Sequence, residues 1–266
     1  MKKKIASMLI LPSLACSAFA SEQASPHQFT GSASLVSDYT FRGVSQTWHR
    51  PALQGSLEYQ HTSGVFATLW ASTVSEKVIA GTHAEIDTTL GYRNTLNDHA
   101  SYGASVIAIY FPGGNWNQMR WGDRPDQAYD TSEINVFAGY KWVSAKYSRT
   151  LTDLLGFNEK TGFSGKTKGA VYLEINADVP LAQTGFVLAL HAGRQNFNSS
   201  PIGISPVAKD YAISIKKTFD RRWAGSVQVA RNTNTALFGT TRSNLDEKDI
   251  RDLGKARLSM SLSRLY

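Results

Sequence analysis

Alternation of polar and apolar side chains with a period of two residues is the feature that most constrains this chain. Within residues 83–93, Ile86 and Leu90 fall on one face of an extended strand, whereas Glu85 and Asp87 fall on the other. The period follows from strand geometry, because successive side chains point to opposite faces. It returns along the sequence as far as residue 266. Such a chain can fold as a soluble β-sandwich or as a membrane barrel with lipid outside and water inside.

About twelve segments carry this period, and each is near the length that a tilted membrane strand requires. The predicted strands cover residues 28–44, 51–62, 65–74, 83–95, 99–111, 131–142, 145–152, 171–179, 185–195, 209–219, 223–232 and 254–266. Residues 245–253 have some helical character but are charged throughout, which predicts a loop. No linker or change of composition divides the chain, so we predict one domain over residues 21–266.

The first 20 residues have the pattern of a secretory signal peptide. Three lysines at positions 2–4 precede an apolar stretch at 5–15, and Ala-Phe-Ala at 18–20 is a small-x-small cleavage site. We expect cleavage after residue 20, which removes Cys16, the only cysteine, and leaves a mature chain without a disulfide. Lipid attachment at Cys16 is the alternative, but Ser13 stands where a large aliphatic residue is usual.

Composition excludes several classes of protein. No run of Lys and Arg interleaved with aromatic residues indicates nucleic-acid binding, although the formal net charge is +7. Beyond residue 20, no stretch of about 18 uncharged apolar residues predicts a transmembrane helix. The 6 Trp, 11 Tyr and 12 Phe suit the aromatic girdles of a barrel at two membrane interfaces.

The connections between predicted strands alternate between short and long. Short gaps are predicted at 61–64, 96–98, 180–184 and 220–222, and longer ones at 75–82, 112–130, 153–165, 196–208 and 233–252. Two places weaken this order: the predicted turn near Val143 and Ser144 has no glycine or proline, and the first long-side loop, 46–50, is short. Short periplasmic turns and longer extracellular loops are typical of an antiparallel, up-and-down outer-membrane β-barrel. We therefore predict this all-β fold, located in the outer membrane.

The last predicted strand ends in an aromatic residue. Leu258, Met260 and Leu262 alternate with serines, in phase with Tyr266. This ending resembles the signal that outer-membrane barrels present to their assembly machinery, although Arg264 departs from the usual hydrophobic residue. We expect two kinds of partner for such a barrel: the outer-membrane lipids, and the barrel-assembly machinery acting through the C-terminal strand.

A series of motifs resembles a known family. Residues 37–47 read Ser-Asp-Tyr-Thr-Phe-Arg-Gly-Val-Ser-Gln-Thr, and 51–56 read Pro-Ala-Leu-Gln-Gly-Ser. Further matches follow in order at 70–72, 85–87, 91–92, 146–148, 153, 156, 172–174, 180–181 and 210–211. Together they resemble the TorF family of proteobacterial outer-membrane porins over nearly the whole mature chain. The resemblance implies an exported outer-membrane β-barrel of porin type, but neither a solute nor catalytic residues.

The charged face of each strand should be the inner one, because isolated charges facing lipid at mid-depth are costly. The candidate channel-lining residues are Asp38, Arg42, Glu58, Glu85, Asp87, Arg93, Glu133, Lys141, Glu174, Asp178, Asp210, Lys216 and Arg257. They either line an aqueous path or pair across the lumen and fill it. About 12 strands lie between the filled 8-stranded and the open 16-stranded barrels, which favours a narrow or partly plugged pore. The near balance of charge argues against strong ion selectivity.

The loop at 112–130 is the longest irregular stretch. Trp116, Arg120, Trp121 and Arg124 lie there among Gly, Asn and Asp. The loop can fold inward and constrict the pore, where its guanidinium groups would meet an anionic or planar solute. Alternatively, it lies on the cell surface as a cap.

Three functions fit this sequence. The leading one is a non-enzymatic porin for passive diffusion of small polar solutes. The second is a barrel enzyme acting on lipid, for which His99 and Ser101 share a strand face but lack an orienting acid. The third is a closed structural or adhesive surface barrel. The histidines do not have metal-ligand spacing and no glycine loop fits a phosphate, so we expect no metal and no cofactor.

Overall fold

Twelve antiparallel strands form a closed barrel in the computed structural model, which describes residues 25–220 and 222–266. Each strand pairs with its neighbours in sequence, and the last pairs with the first. The barrel strands are β1 (His27–Val36), β2 (Ala52–His61), β3 (Val65–Thr73), β4 (Ala84–Thr95), β5 (Ala100–Tyr110), β6 (Thr131–Tyr140), β7 (Val143–Thr150), β8 (Val171–Leu181), β9 (Phe186–Asn196), β10 (Val207–Thr218), β11 (Trp223–Asn232) and β12 (Arg257–Leu265). The predicted fold class is confirmed. The predicted signal peptide lies outside the described residues.

Closure satisfies the backbone of the wall. A strand edge left unpaired in lipid would expose N–H and C=O groups at several kcal/mol each, and a closed barrel has no edge. The closing seam pairs β1 with β12, with Ser34 opposite Ser263. Within the described residues, no helix has the length and apolar character needed to cross a membrane.

The alternation sorts side chains between lipid and lumen. On β6, Val136 is 56% exposed on the outside of the barrel, whereas Glu133 on the inner face is 4% exposed. On β4, Leu90 and Tyr92 lie outside and Glu85 is buried inside, as the sequence predicts. An apolar exterior around a polar interior is the arrangement that a lipid bilayer requires.

Connections at one end of the barrel are short, and those at the other end are long. The turn between β6 and β7 consists of Lys141 and Trp142, so the prediction of a turn near Val143 and Ser144 is wrong by two residues. The cause is backbone geometry: Lys141 takes a positive φ of 54° without a glycine to mark the site. The long-loop end corresponds to the extracellular end of outer-membrane barrels.

The first strand is shorter than predicted. It ends at Val36, and residues 37–51, which we call the luminal segment, leave the wall. Within this segment, Thr40–Phe41 pairs with Val44–Ser45 in a small hairpin. The prediction of one strand over 28–44 is therefore wrong, and the first long-side connection is long like the others.

The long loops pack against one another. Three clusters of buried apolar side chains join them; one contains Trp48, which is fully buried with Val44 and Leu253. The last long connection carries a short helix, α1 (Thr235–Phe238), and a hairpin that pairs Thr241–Ser243 with Asp246–Arg251. The predicted loop at 245–253 is thus mostly a strand.

Candidate channel lumen

The tip of the luminal segment reaches the inner faces of distant strands. Arg42 donates through Nη2 to both carboxylate oxygens of Glu133 on β6, at 2.8 Å each. Its guanidinium also donates to Gln195 on β9 and lies 4.1 Å from the ring centre of Tyr172 on β8. The segment therefore lies inside the lumen and is held by several strands at once.

Glycine is required at the tip. Gly43 has a φ of +73°, and a Cβ there would lie 2.6 Å from the carbonyl oxygen of Arg231 and 2.9 Å from the Cβ of Asp210. Only glycine combines this backbone conformation with so close an approach. The amide of Asn232 donates to the carbonyl oxygen of Arg42, at 3.0 Å, and fixes the same turn against β11.

Asp38 organises the base of the luminal segment. Its carboxylate accepts hydrogen bonds from the hydroxyls of Ser45 (2.6 Å) and Thr47 (2.8 Å), and pairs with Nδ1 of His49 at 2.9 Å. The other ring nitrogen of His49 lies 3.0 Å from the carbonyl oxygen of Asp252. Each ring nitrogen of His49 therefore lies within hydrogen-bond distance of an oxygen, one on Asp38 and one on Asp252.

Charged side chains on the inner face pair along the wall. Lys146 and Glu174 are directly opposed on β7 and β8, with Nζ and Oε1 at 3.1 Å. Similar pairs join Lys216 with Asp178 at 3.1 Å and Arg93 with Glu58. These partners lie one or two strands apart, so they do not bridge the lumen; Arg42 makes the crossing contact instead.

Two acids on β4 have no basic partner among the described salt bridges. Glu85 accepts a hydrogen bond from the hydroxyl of Tyr39 at 3.1 Å. Asp87 has one buried oxygen without a hydrogen-bond partner. Among the described residues, no group of three His, Cys, Asp or Glu side chains is arranged to hold a metal ion.

On β8, β9 and β10, four polar side chains form a network near the tip of the luminal segment. Nε2 of His191 lies 2.6 Å from Asp210 and 3.1 Å from the hydroxyl of Tyr172. Nδ1 of the same ring lies 2.7 Å from the side-chain oxygen of Asn176. Since the network is internally satisfied, it fixes the wall on which Gly43 rests.

The candidate channel-lining residues divide into three groups. Those on the inner faces of the strands are Glu58, Glu85, Asp87, Arg93, Glu133, Glu174, Asp178, Asp210, Lys216 and Arg257. Asp38 and Arg42 reach the lumen from the luminal segment and not from a strand. Lys141 does not line the lumen, because it lies exposed in the turn between β6 and β7.

The loop at 112–130 packs among the other long loops. The ring of Trp116 stacks on Tyr129 with 5.3 Å between centroids and donates to the carbonyl oxygen of Leu155. Trp121 donates to the carbonyl oxygen of Ser243. Arg120 is exposed, and the guanidinium carbon of Arg124 lies 4.6 Å from the ring centre of Trp121. The loop therefore packs against neighbouring long loops, whereas the luminal segment is the connection that reaches into the lumen.

A stripe of hydroxyl groups lies on the side of the lumen opposite the charged inner face of β4–β10. It runs over β11, β12, β1 and β2, and we call it the hydroxyl stripe: Ser32, Ser34, Ser56, Ser226, Ser261 and Ser263. Sequence reasoning from charges missed it. The Ser-x-Ser-x-Ser pattern at 259–263 and the serines at 32 and 34 are the signal that could have indicated it.

The candidate enzyme site is not assembled. The ring of His99 lies edge-on to Tyr140, with 6.4 Å between centroids. No described hydrogen bond joins His99 to Ser101 or to an acid. The described hydrogen bonds therefore do not join the predicted pair of His99 and Ser101 into a base-activated nucleophile.

A closed antiparallel barrel with an apolar exterior, a polar lumen and long loops at one end defines the class of outer-membrane β-barrels. The chain belongs to the family described as "Bacterial protein of unknown function (Gcw_chp)", whose model matches residues 20–266. No curated protein matches it in sequence.

Similar solved structures are outer-membrane proteins. The KdgM porin, solved in complex with disordered oligogalacturonate, shares 8% identity at a TM-score of 0.49, over 90% of this chain and 98% of that one. An outer-membrane channel from Pseudomonas putida F1 shares 12% identity at a TM-score of 0.45, over 94% and 99%. The P. putida toluene transporter TodX shares 10% identity at a TM-score of 0.46, over 91% and 88%.

Proposed function

We propose that this protein is a porin-like channel for passive diffusion of small polar solutes across the outer membrane. The observation that carries the proposal is the division of the lumen. The long-loop half of the inner face of β4–β10 is packed against the luminal segment, whereas side chains on the opposite side stay partly exposed along the whole barrel. This exposure runs from Thr30 at the short-turn end to Arg257 at the long-loop end.

The proposal predicts small, steady ion conductance from the purified protein in planar bilayers. A barrel narrowed by the luminal segment should conduct far less than an open 16-stranded porin. Conductance at the level of the protein-free bilayer would contradict the channel. The change of gel mobility on boiling, measured on the same preparation, tests whether the protein is a folded barrel.

A closed surface barrel is the second candidate, and the packed loops favour it. Replacing residues 39–46 by a short Gly-Ser linker separates the two functions. For a porin, the replacement should enlarge an existing conductance, because the lumen loses its crossing contact. For a closed surface barrel, the native protein should not conduct and the variant should.

The same proposal includes the maturation of the chain. A signal peptide cleaved after residue 20 would deliver it to the outer membrane, where the barrel-assembly machinery would recognise the strand ending at Tyr266 and lipids would cover the apolar belt. The motifs that begin at 37–47 support placement near the TorF porins. Amino-terminal sequencing of protein from outer membranes should begin at Ser21.

A further inference from the structure

We propose that the hydroxyl stripe is the surface along which solutes pass, and that it selects uncharged, hydroxyl-rich molecules such as polyols and small sugars. This inference rests on the proposed channel function and names its solute class. The serines form three pairs across neighbouring strands: Ser32 with Ser56 (2.7 Å), Ser34 with Ser263 (2.7 Å), and Ser226 with Ser261 (2.8 Å).

The pairs keep hydrogen-bonding capacity for a solute. A hydroxyl has one donor and two acceptor lone pairs, so each pair uses one donor and one lone pair and leaves the others free. The side chains are also short, which leaves room in the lumen beside them. A polyol presents the same mixture of donors and acceptors and can exchange its hydration for contacts along the stripe.

Few charged side chains face the stripe, and two that border it are already paired: Glu58, near Ser56 on β2, with Arg93, and Lys216, opposite Ser226, with Asp178. Along β1, β11 and β12, the only described inward-facing charged side chain is Arg257, at the long-loop end. Its guanidinium nitrogen Nε lies 3.9 Å from Asp38. A charged solute would lose hydration in a narrow passage whose bordering charges already have partners, whereas a neutral polyol would keep its hydrogen bonds by exchanging water for hydroxyl groups.

The inner face of β4–β10 is a less favourable route for a solute than the stripe. Glu85, Glu133, Tyr172 and Asp210 are each 4% exposed or less, and the luminal segment covers them. Of the acids that remain partly accessible there, Glu174 and Asp178 are paired with bases along the wall. Passage along that side requires breaking buried contacts, whereas passage along the stripe does not.

Swelling of proteoliposomes tests the solute class. Sorbitol and sodium gluconate form a matched pair, since both have six carbons and several hydroxyls but gluconate carries a carboxylate. We expect sorbitol to enter faster, by roughly tenfold if the stripe gives an anion no compensating charge. Equal rates, or faster entry of gluconate, would overturn the inference while leaving the channel intact. If neither solute enters and no current flows, the channel function itself fails.

A cysteine that is labelled only after the barrel has assembled tests the route without risking the fold. In a Cys16→Ser background, Ser261→Cys places a thiol on the stripe, and Met260→Cys places one on the neighbouring lipid-facing position. Labelling Ser261→Cys with a bulky neutral thiol reagent should slow sorbitol entry by about threefold or more, because it fills a narrow lumen. Labelled Met260→Cys should transport as before. An unchanged rate after complete labelling at position 261 would overturn the proposed route.

Discussion

The two sides of the lumen accommodate polar side chains in different ways. The inner face of β4–β10, the charged wall, carries long ionisable side chains. Most of them are paired, and the luminal segment buries those near the long-loop end. The hydroxyl stripe carries short neutral side chains that remain accessible. Polar residues inside a barrel can therefore serve as packing or as passage, and the distinction depends on what covers them and not on their charge.

The largest effect should come from removing the crossing contact of the charged wall. Arg42→Ala leaves Glu133 buried without its base, which should lower the free energy of unfolding by about 3–5 kcal/mol and raise the conductance. The temperature at which gel mobility changes measures the first effect. Arg242→Ala is the control, because Arg242 and Glu247 are both more than half exposed and their closest charged atoms are 3.9 Å apart. Equal shifts in the two variants would contradict a buried role for Arg42.

The next largest effect should come from the close packing of Gly43 at the tip of the luminal segment. Gly43→Ala and Gly203→Ala both place a side chain at positive φ, which costs about 1–2 kcal/mol. Gly203 has open space around it, with a φ of +80°, whereas Gly43 abuts Arg231 and Asp210. Gly43→Ala should therefore lose a further 1–3 kcal/mol or so from overpacking. Thermal stability of the two variants, measured side by side, gives the difference. Similar losses would contradict the close packing of Gly43 against Arg231 and Asp210.

A smaller effect compares equal changes of charge on the two sides. Ser226→Asp and Lys146→Gln each lower the net charge by one. A new carboxylate about 4 Å from a passing cation in water contributes about 1 kcal/mol, or roughly fivefold in relative permeability. The reversal potential in a salt gradient should move toward cations more for Ser226→Asp. A larger shift for Lys146→Gln would indicate that ions pass along the charged wall and not along the hydroxyl stripe.

The smallest effect lies outside the barrel. The Lys77 ammonium, hydrogen-bonded to Asp249, holds the pKa of that carboxyl below its usual range. A folded-state pKa below the unfolded value contributes stability above the unfolded pKa, and this contribution is lost as the pH falls through the folded value. Lowering the pH from 7 to 3 should therefore destabilise the native protein slightly more than it destabilises the Asp249→Asn variant. Identical pH profiles of thermal stability for the native protein and the Asp249→Asn variant would contradict a stabilising contact between Lys77 and Asp249.

The sequence predicted most of the wall, because the two-residue period is a local property. It failed at residues 37–44 for a physical reason. Tyr39 and Phe41 continue the period of β1, but Tyr39 packs inside against Trp70, with 5.3 Å between centroids. Local alternation does not distinguish an aromatic residue that faces lipid from one that packs inside the barrel against its inner wall.

The same limit applies to the candidate site. The inward direction of most acids and bases followed from the period, but their partners did not, because pairing depends on the register between strands. Arg42 and Glu133 are 91 residues apart in sequence. The hydroxyl stripe likewise exists only after four strands, including the first and the last, are placed side by side.

The position of the seam has a consequence for assembly. The hydrogen bond from Ser34 to Ser263 joins residues 229 apart, so this contact closes almost the whole chain into a ring. Because the inward-facing side chains of the seam are uncharged, closing it does not require a buried charge to find its partner at the same moment. The luminal segment follows directly from β1 and rests on β10 and β11, on the far side of that seam. The barrel and its constriction should therefore mature in a single step, so that an unplugged ring never opens the membrane.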